Sequence, residues 1–177
     1  MTIRPAAAAD LPQMLALYAP YVRETTISFE YTAPTLQEFT ERFQRITAHF
    51  PWLIAEENGE ILGYAYADRL FSRAAYAWSA EPSIYVRQDC RHRGVGRALY
   101  GALEPLLADL GYVNLFVLVT AENENSLWFH ERMGYQTAAA LPHVGYKFGR
   151  WLDSVWMWKT IRDVEDPGSM PILALNA

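Results

Sequence analysis

The chain has 177 residues, 51% hydrophobic and 20% charged, which is the length of one domain with apolar mass for a packed core and excludes global disorder. A net charge of −5, from 15 Lys+Arg against 20 Asp+Glu, argues against a general nucleic-acid binder. The single cysteine, Cys90, excludes an internal disulfide framework or a Cys-rich zinc site and suggests a cytoplasmic setting.

No apolar run approaches a membrane span, and Met-Thr-Ile-Arg-Pro has no apolar h-region, so neither membrane insertion nor a secretory signal is expected. Two features stand out against this background. Aromatics reach 14%, which suggests a cavity or interface besides a core. Arg87, Arg91, Arg93 and Arg97 fall within eleven positions of an acidic chain.

In chain order, Thr2 to Arg4 reads as a short strand. Asp10 is a plausible N-cap before Leu11, Met14, Leu15 and Tyr18, whose helical spacing stops near Pro20. Thr25 to Tyr31 reads as extended or loop. Thr35-Leu36-Gln37-Glu38 is a capping box and predicts a helix from about 35 to 48. Trp52 to Glu56 and Glu60 to Asp68 are strands joined by Asn58-Gly59, a strong hairpin-turn signal.

Residues 75–86 read as a strand interrupted at Glu81-Pro82, where proline cannot donate to the ladder. Val95, Leu99, Ala102, Leu103, Leu106, Leu107 and Leu110 form one helical stripe, stopped by Gly111. Tyr112 to Val119 is a nearly continuous apolar run, as in a buried strand. A helix over 124–133 and strands near 136–140 and 153–159 complete one domain, 1–162, before an irregular tail, 163–177. The order implies a mixed α/β sheet flanked by helices, without the regular alternation of a doubly wound nucleotide fold.

The arginine segment lies between a predicted strand, Ser83 to Val86, and the striped helix. The first amides of a helix lack intrahelical partners and, with the macrodipole, attract anions. Gly94 and Gly96 would admit a phosphate close to the backbone, and the arginines add forked donors. No Gly-Lys-Ser/Thr follows, and the dinucleotide Gly-x-Gly-x-x-Gly spacing is absent. A solvated, arginine-rich helix start is the plain alternative.

The segment Arg91-His92-Arg93-Gly94-Val95-Gly96 resembles the acetyl-CoA loop of the GCN5-related N-acetyltransferases, Arg/Gln-x-x-Gly-x-Gly/Ala. A second block, Asn123 to His130 followed by Gly134-Tyr135, resembles that family's Asn-x-x-Ala/Ser block in order and separation. Nearer still is a similarity to phosphinothricin acetyltransferases, carried by Phe50 to Leu53, Ala75 to Glu81, Ser83 to Val86 and Gly145 to Trp151. It extends to about residue 160. The resemblance implies an acyl-CoA N-acyltransferase fold with a splayed central sheet, acetyl-CoA as co-substrate, no metal, and a homodimer.

In such an enzyme the acceptor amine attacks the thioester and must first be neutral. For an amine of pKa about 9.5, deprotonation at pH 7 costs roughly 3.4 kcal/mol. The resemblance makes Glu81 the base, directly or through water; an exposed strand-end carboxylate is the alternative. His130 stands where the wider family often has a tyrosine acid; it either moves a proton or packs on the cofactor. Ile84, Tyr85 and Val86 would run along the pantetheine arm, with the Val86 N–H facing the thioester oxygen.

The same resemblance assigns Arg91, His92, Arg93, Gly94, Val95, Gly96 and Arg97 to the phosphates. It assigns Asn123 and Ser126 to the pantetheine end, although Asn123 also suits a helix N-cap. Phe29, Arg73 and Tyr76 match positions that meet the acidic acceptor, where a guanidinium pairs with carboxylate or phosphinate. Lys147 and Tyr146 would complete that pocket. The expected activity is acetylation of the α-amine of a small acidic amino acid or analogue, such as phosphinothricin, methionine sulfoximine or methionine sulfone. The alternatives are another amine (a polyamine, an aminoglycoside, a protein N-terminus) or a non-catalytic acyl-CoA-binding protein.

Overall fold

The computed structural model describes residues 1–171. Its strands are β1 (Thr2–Pro5), β2 (Trp52–Glu57), β3 (Glu60–Arg69), β4 (Ser79–Val86), β5 (Asn114–Thr120), β6 (Gln136–Lys147) and β7 (Arg150–Thr160). Its helices are α1 (Leu11–Glu24), α2 (Leu36–Thr47), α3 (Val95–Asp109) and α4 (Glu124–Arg132). The strands form one sheet in the order β1-β2-β3-β4-β5-β7-β6. Only β4 and β5 run parallel. The expected mixed sheet with flanking helices is what forms.

Local chemistry sets several boundaries. The Glu38 N–H donates to Thr35 Oγ1 at 3.2 Å, and the Thr35 N–H donates to Glu38 Oε2 at 2.7 Å, so the capping box starts α2. Asn58 and Gly59 take φ of 54° and 80°, the two left-handed positions of a two-residue hairpin turn. Gly111, at φ 105°, stops α3.

Three boundaries differ from the sequence expectation. First, α1 passes Pro20 and ends at Glu24. An interior proline removes one backbone bond, but the next turn carries Tyr21 and Val22, both buried, and their packing keeps the helix going. Second, β4 runs unbroken against β3 from Ala80 to Val86; the interruption at Pro82 falls on its other edge. Third, β6 and β7 are longer than expected and close at Phe148-Gly149, with φ of 51° and 76°. Register shifts at Thr137/Ala139 and Leu141/Gly145 break the alternation that would have revealed β6.

The helices sit on opposite faces of the sheet. A Cβ on Gly96 of α3 would lie 3.4 Å from Ile84, while the next residue, Tyr85, meets Tyr18 and Tyr21 of α1 edge to face. Successive strand residues point to opposite faces, so α1 and α3 flank β4 from either side. The α1–α2 side is ring-rich, with Trp52 against Phe39, Phe43, Tyr64 and Tyr66. Residues 163–171 have no regular structure, and Trp78 Nε1 donates to the Ser169 carbonyl at 3.4 Å. The rest of the expected tail, 172–177, lies outside the described residues.

Candidate active site

Strands β4 and β5 are joined only at Ser79/Asn114 and Ala80/Leu115. The Arg87 N–H donates to the Leu62 carbonyl at 2.8 Å, on the β3 side. Amides alternate along a strand, so the Val86 and Ile84 N–H groups and the Pro82 nitrogen face β5. Pro82 has no hydrogen to offer there, and the ladder ends just before it. The parted strands open a cleft lined by Glu81, Ile84 and Tyr85 of β4, Val117 and Thr120 of β5, Tyr100 of α3, and Asn123, Ser126 and His130 of α4.

The cleft passes through the sheet. Glu81 shares the face of Tyr85, the α1 side, and its register partner is Asp68 of β3. His130 and Tyr100 come from the α3–α4 side. Glu81 is partly buried, and burial first, then the Asp68 charge, raises its carboxyl above the usual range.

His130 is buried, and its burial pulls the imidazole down to about 4. Its Nδ1 lies 2.8 Å from the Ser126 carbonyl, which can only accept, so Nδ1 carries the proton. Nε2 therefore accepts from the Tyr100 hydroxyl at 3.1 Å. Burial raises Tyr100 well above its ordinary value. At neutral pH the pair is an uncharged imidazole holding an uncharged phenol. In the sequence Tyr100 lies beside the apolar stripe of α3, next to Leu99, and no motif marks it.

Asn123 is the α4 N-cap, its Oδ1 accepting from the Ser126 N–H at 3.3 Å, and it also lines the cleft. At the start of α3, Gly94 has φ 81°, which a Cβ-bearing residue adopts only under strain. The first intrahelical bond runs from the Ala98 N–H to the Gly94 carbonyl, leaving Val95, Gly96 and Arg97 amides without intrahelical acceptors. Gly96 has a packing reason as well: an added Cβ would lie 3.0 Å from the Phe129 ring of α4.

The arginines divide. Arg87 binds Glu60 and Asp89, each at 2.7 Å, and Arg93 binds Glu57 at 2.8 Å. Arg91 lies over the Tyr21 ring at 5.9 Å. Arg97 and His92 are exposed, His92 with φ 63°.

The expected acceptor residues are spread more widely. Phe29 follows Ile27, which lines the cleft, and its half-exposed ring lies against Gly145 of β6. Arg73 and Tyr76 lie on the exposed turn before β4, where Tyr76 meets Phe71 edge to face at 4.8 Å and Phe71 meets Trp156 in the same way at 5.9 Å. None of the three lines the cleft between β4 and β5. Lys147 does not line this cleft either: its buried ammonium donates to backbone carbonyls. Tyr146 is exposed and packs on Trp151.

Residues 3–156 match the Acetyltransferase (GNAT) domain family. The chain belongs to the GNAT acetyltransferases. This GNAT enzyme is 34% identical over 165 residues to a phosphinothricin N-acetyltransferase of Streptomyces viridochromogenes, covering 93% of this chain and 88% of that one. It is 37% identical over 160 residues to an L-methionine sulfoximine/L-methionine sulfone acetyltransferase of Pseudomonas aeruginosa, covering 88% and 92%. Its fold superposes with TM-score 0.86 and 32% identity on a GNAT superfamily phosphinothricin acetyltransferase from Sinorhizobium meliloti, solved in complex with AcCoA, covering 90% and 87%.

Acetyl-CoA is the acetyl donor of this GNAT enzyme. The free amides of Val95 to Arg97 and the exposed Arg97 suit its phosphates. Among the described residues no group of three or more His, Cys, Asp or Glu is placed to hold a metal ion, and no helix is long and apolar enough to cross a membrane.

Proposed function

We propose that the enzyme acetylates the α-amine of a small acidic amino acid or analogue, of the phosphinothricin, methionine sulfoximine or methionine sulfone type. The observation that carries the chemistry is a raised, partly buried carboxylate, Glu81, on one side of a passage through the sheet, with the Tyr100–His130 pair on the other. The relatives named above support the acceptor class.

In this reading acetyl-CoA supplies the acetyl thioester from the α3 side. Val95, Gly96 and Arg97 amides, with Arg91, His92, Arg93, Gly94 and the Arg97 side chain, hold its phosphates. Ile84, Tyr85 and Val86 line its arm together with Asn123 and Ser126. The Val86 N–H, unpaired on the β5 side, meets charge developing on the thioester oxygen. Glu81 takes the proton of the incoming ammonium, directly or through water; the neutral amine adds to the thioester carbonyl, the C–S bond breaks, and the CoA thiolate leaves with the second proton that the amine nitrogen sheds.

His130 is neutral and already donating to Ser126, so it acts as the fixed acceptor that orients the Tyr100 hydroxyl. Phe29, Arg73 and Tyr76 receive the acceptor's side chain and acidic group, and a homodimer in the cytoplasm completes the expectation. The test is free-thiol release from acetyl-CoA with the three amino-acid analogues, a polyamine and an aminoglycoside as acceptors. Turnover confined to the amino-acid analogues is expected. Preference for the cationic amines would overturn the acceptor assignment, and tight CoA binding with no turnover would overturn the catalytic one.

A further inference from the structure

Lys147 is almost fully buried, at 2% exposure, and the mechanism does not use it. Its Nζ donates to the carbonyls of Val22, Thr25 and Ser28 at 2.7, 2.9 and 2.5 Å. All three donors of the ammonium are thereby spent on one stretch of backbone. That stretch is the last turn of α1 and the loop that follows. Among the described residues no carboxylate forms an ion pair with Lys147. Besides the carbonyls, the ammonium lies 5.0 Å from the centroid of the neighbouring Phe148 ring; a buried charge held without a counter-ion is costly unless the geometry is good.

The same loop is held at other points as well, among them the Thr26 hydroxyl, which donates to the Glu122 carboxylate. Thr120 Oγ1, at the end of β5, donates to the Thr26 carbonyl at 2.7 Å, and the Ser28 and Tyr18 hydroxyls lie 2.8 Å apart. Ile27, lining the cleft, sits between the Thr26 and Ser28 ties, and Phe29 directly follows the second. The Phe29 ring occupies the place a Cβ on Gly145 would take, 2.1 Å from the nearest ring carbon. Gly145 and Lys147 are on the same strand, two residues apart, so both project to the same face of β6.

We infer that Lys147 and Gly145 form a seat that positions Phe29 and thereby sets the fit of the amino-acid acceptor. Lys147 is a positioning residue that acts through the loop backbone, and Gly145 leaves the room the ring needs. This rests on the acceptor reading given above, in which Phe29 walls the acceptor side. The tie is local to that side: the amides of α3 and the side chains of Tyr100 and His130 make no contact with Lys147 in the hydrogen bonds described.

The test uses L-methionine sulfone as acceptor. In Lys147→Met, which keeps the alkyl stem and removes the ammonium, KM for the acceptor rises about tenfold while KM for acetyl-CoA stays within about twofold. Hydrogen exchange at amides 25–29 quickens, and that of α3 does not change. Gly145→Ala, which keeps every hydrogen bond of Lys147, raises the acceptor KM in the same way by displacing the ring. Placed in a Phe29→Ala background, both substitutions lose most of their effect on KM.

Equal changes in both KM values, or effects that persist without the Phe29 ring, would overturn the inference, as would unchanged exchange at 25–29. If the unaltered protein acetylates amines but not methionine sulfone or its analogues, the acceptor reading fails. Quickened exchange at 25–29 in Lys147→Met would then still support the tie, and unchanged exchange would remove it too.

Discussion

Strands β1 to β4 are covered on one face by α1 and α2 and on the other by α3, and their rings interlock through Trp52, Tyr64, Tyr66 and Tyr85. Strands β5, β7 and β6 are a different kind of structure. They join the rest of the sheet at two residue pairs, and their hairpin leaves Trp151, Tyr146, Phe148 and Val144 exposed. The proposed reaction centre lies on the seam between the two halves. β4 of the first half would contribute Glu81, and α4, which follows β5, His130. A ring-packed half joined to a second half at two residue pairs leaves a gap open in the middle of the sheet.

The largest expected effect is at that seam. Glu81→Gln removes the proposed base and should lower kcat/KM by about 10²–10⁴-fold with acetyl-CoA binding unchanged. The deficit should shrink as pH approaches the pKa of the amine, because the acceptor then arrives already neutral. A rate loss that is independent of pH would mean that Glu81 only shapes the cleft.

Next come the two partners across it. Tyr100→Phe and His130→Phe should each lower kcat by about 10- to 100-fold, and the double variant should be little worse than either, since each residue depends on the other. Additive losses would separate them into independent roles.

A third prediction concerns pH and stability. In the unfolded chain the His130 imidazole takes a proton near 6.5; folded, it does so only near 4. Stability contributed by the neutral ring is whole above pH 6.5 and falls as pH drops toward 4, by up to about 3 kcal/mol. Glu81 has the opposite sign: its raised carboxyl holds a proton in the fold that the unfolded chain releases above about 4.5, so its ionisation erodes stability as pH rises. Denaturant midpoints between pH 4 and 8 should show the acid-side slope in the native sequence and a flatter one in His130→Phe.

The smallest effect belongs to the well-covered half. Thr35→Ala removes the α2 cap and should cost about 1 kcal/mol, or roughly 2–4 °C in Tm, with kcat/KM unchanged. A loss of activity there would show that the two halves communicate more than their packing suggests.

Signals confined to a few adjacent residues were legible in the sequence. The Thr35/Glu38 box, the Asn58-Gly59 turn and the Gly111 stop need only their neighbours, and the structure uses each of them. The glycine loop before α3 was legible for the same reason. What depended on distant partners was not. Glu57 and Glu60 claim Arg93 and Arg87 across more than twenty residues, so the arginine cluster looked more uniform than it is. Tyr100 was indistinguishable from its apolar neighbours until α4 placed an imidazole beside its hydroxyl. The break at Pro82 was legible, but which edge of β4 it spoiled depended on β5, thirty residues later.

The passage between β4 and β5 has a kinetic consequence. If donor and acceptor enter from opposite faces, as proposed, neither has to leave before the other can arrive, and the acetyl group has no need of a resting place on the protein. Initial rates measured against both substrates should therefore give reciprocal plots that intersect, as for two reactants held together, and not the parallel lines of a shuttle.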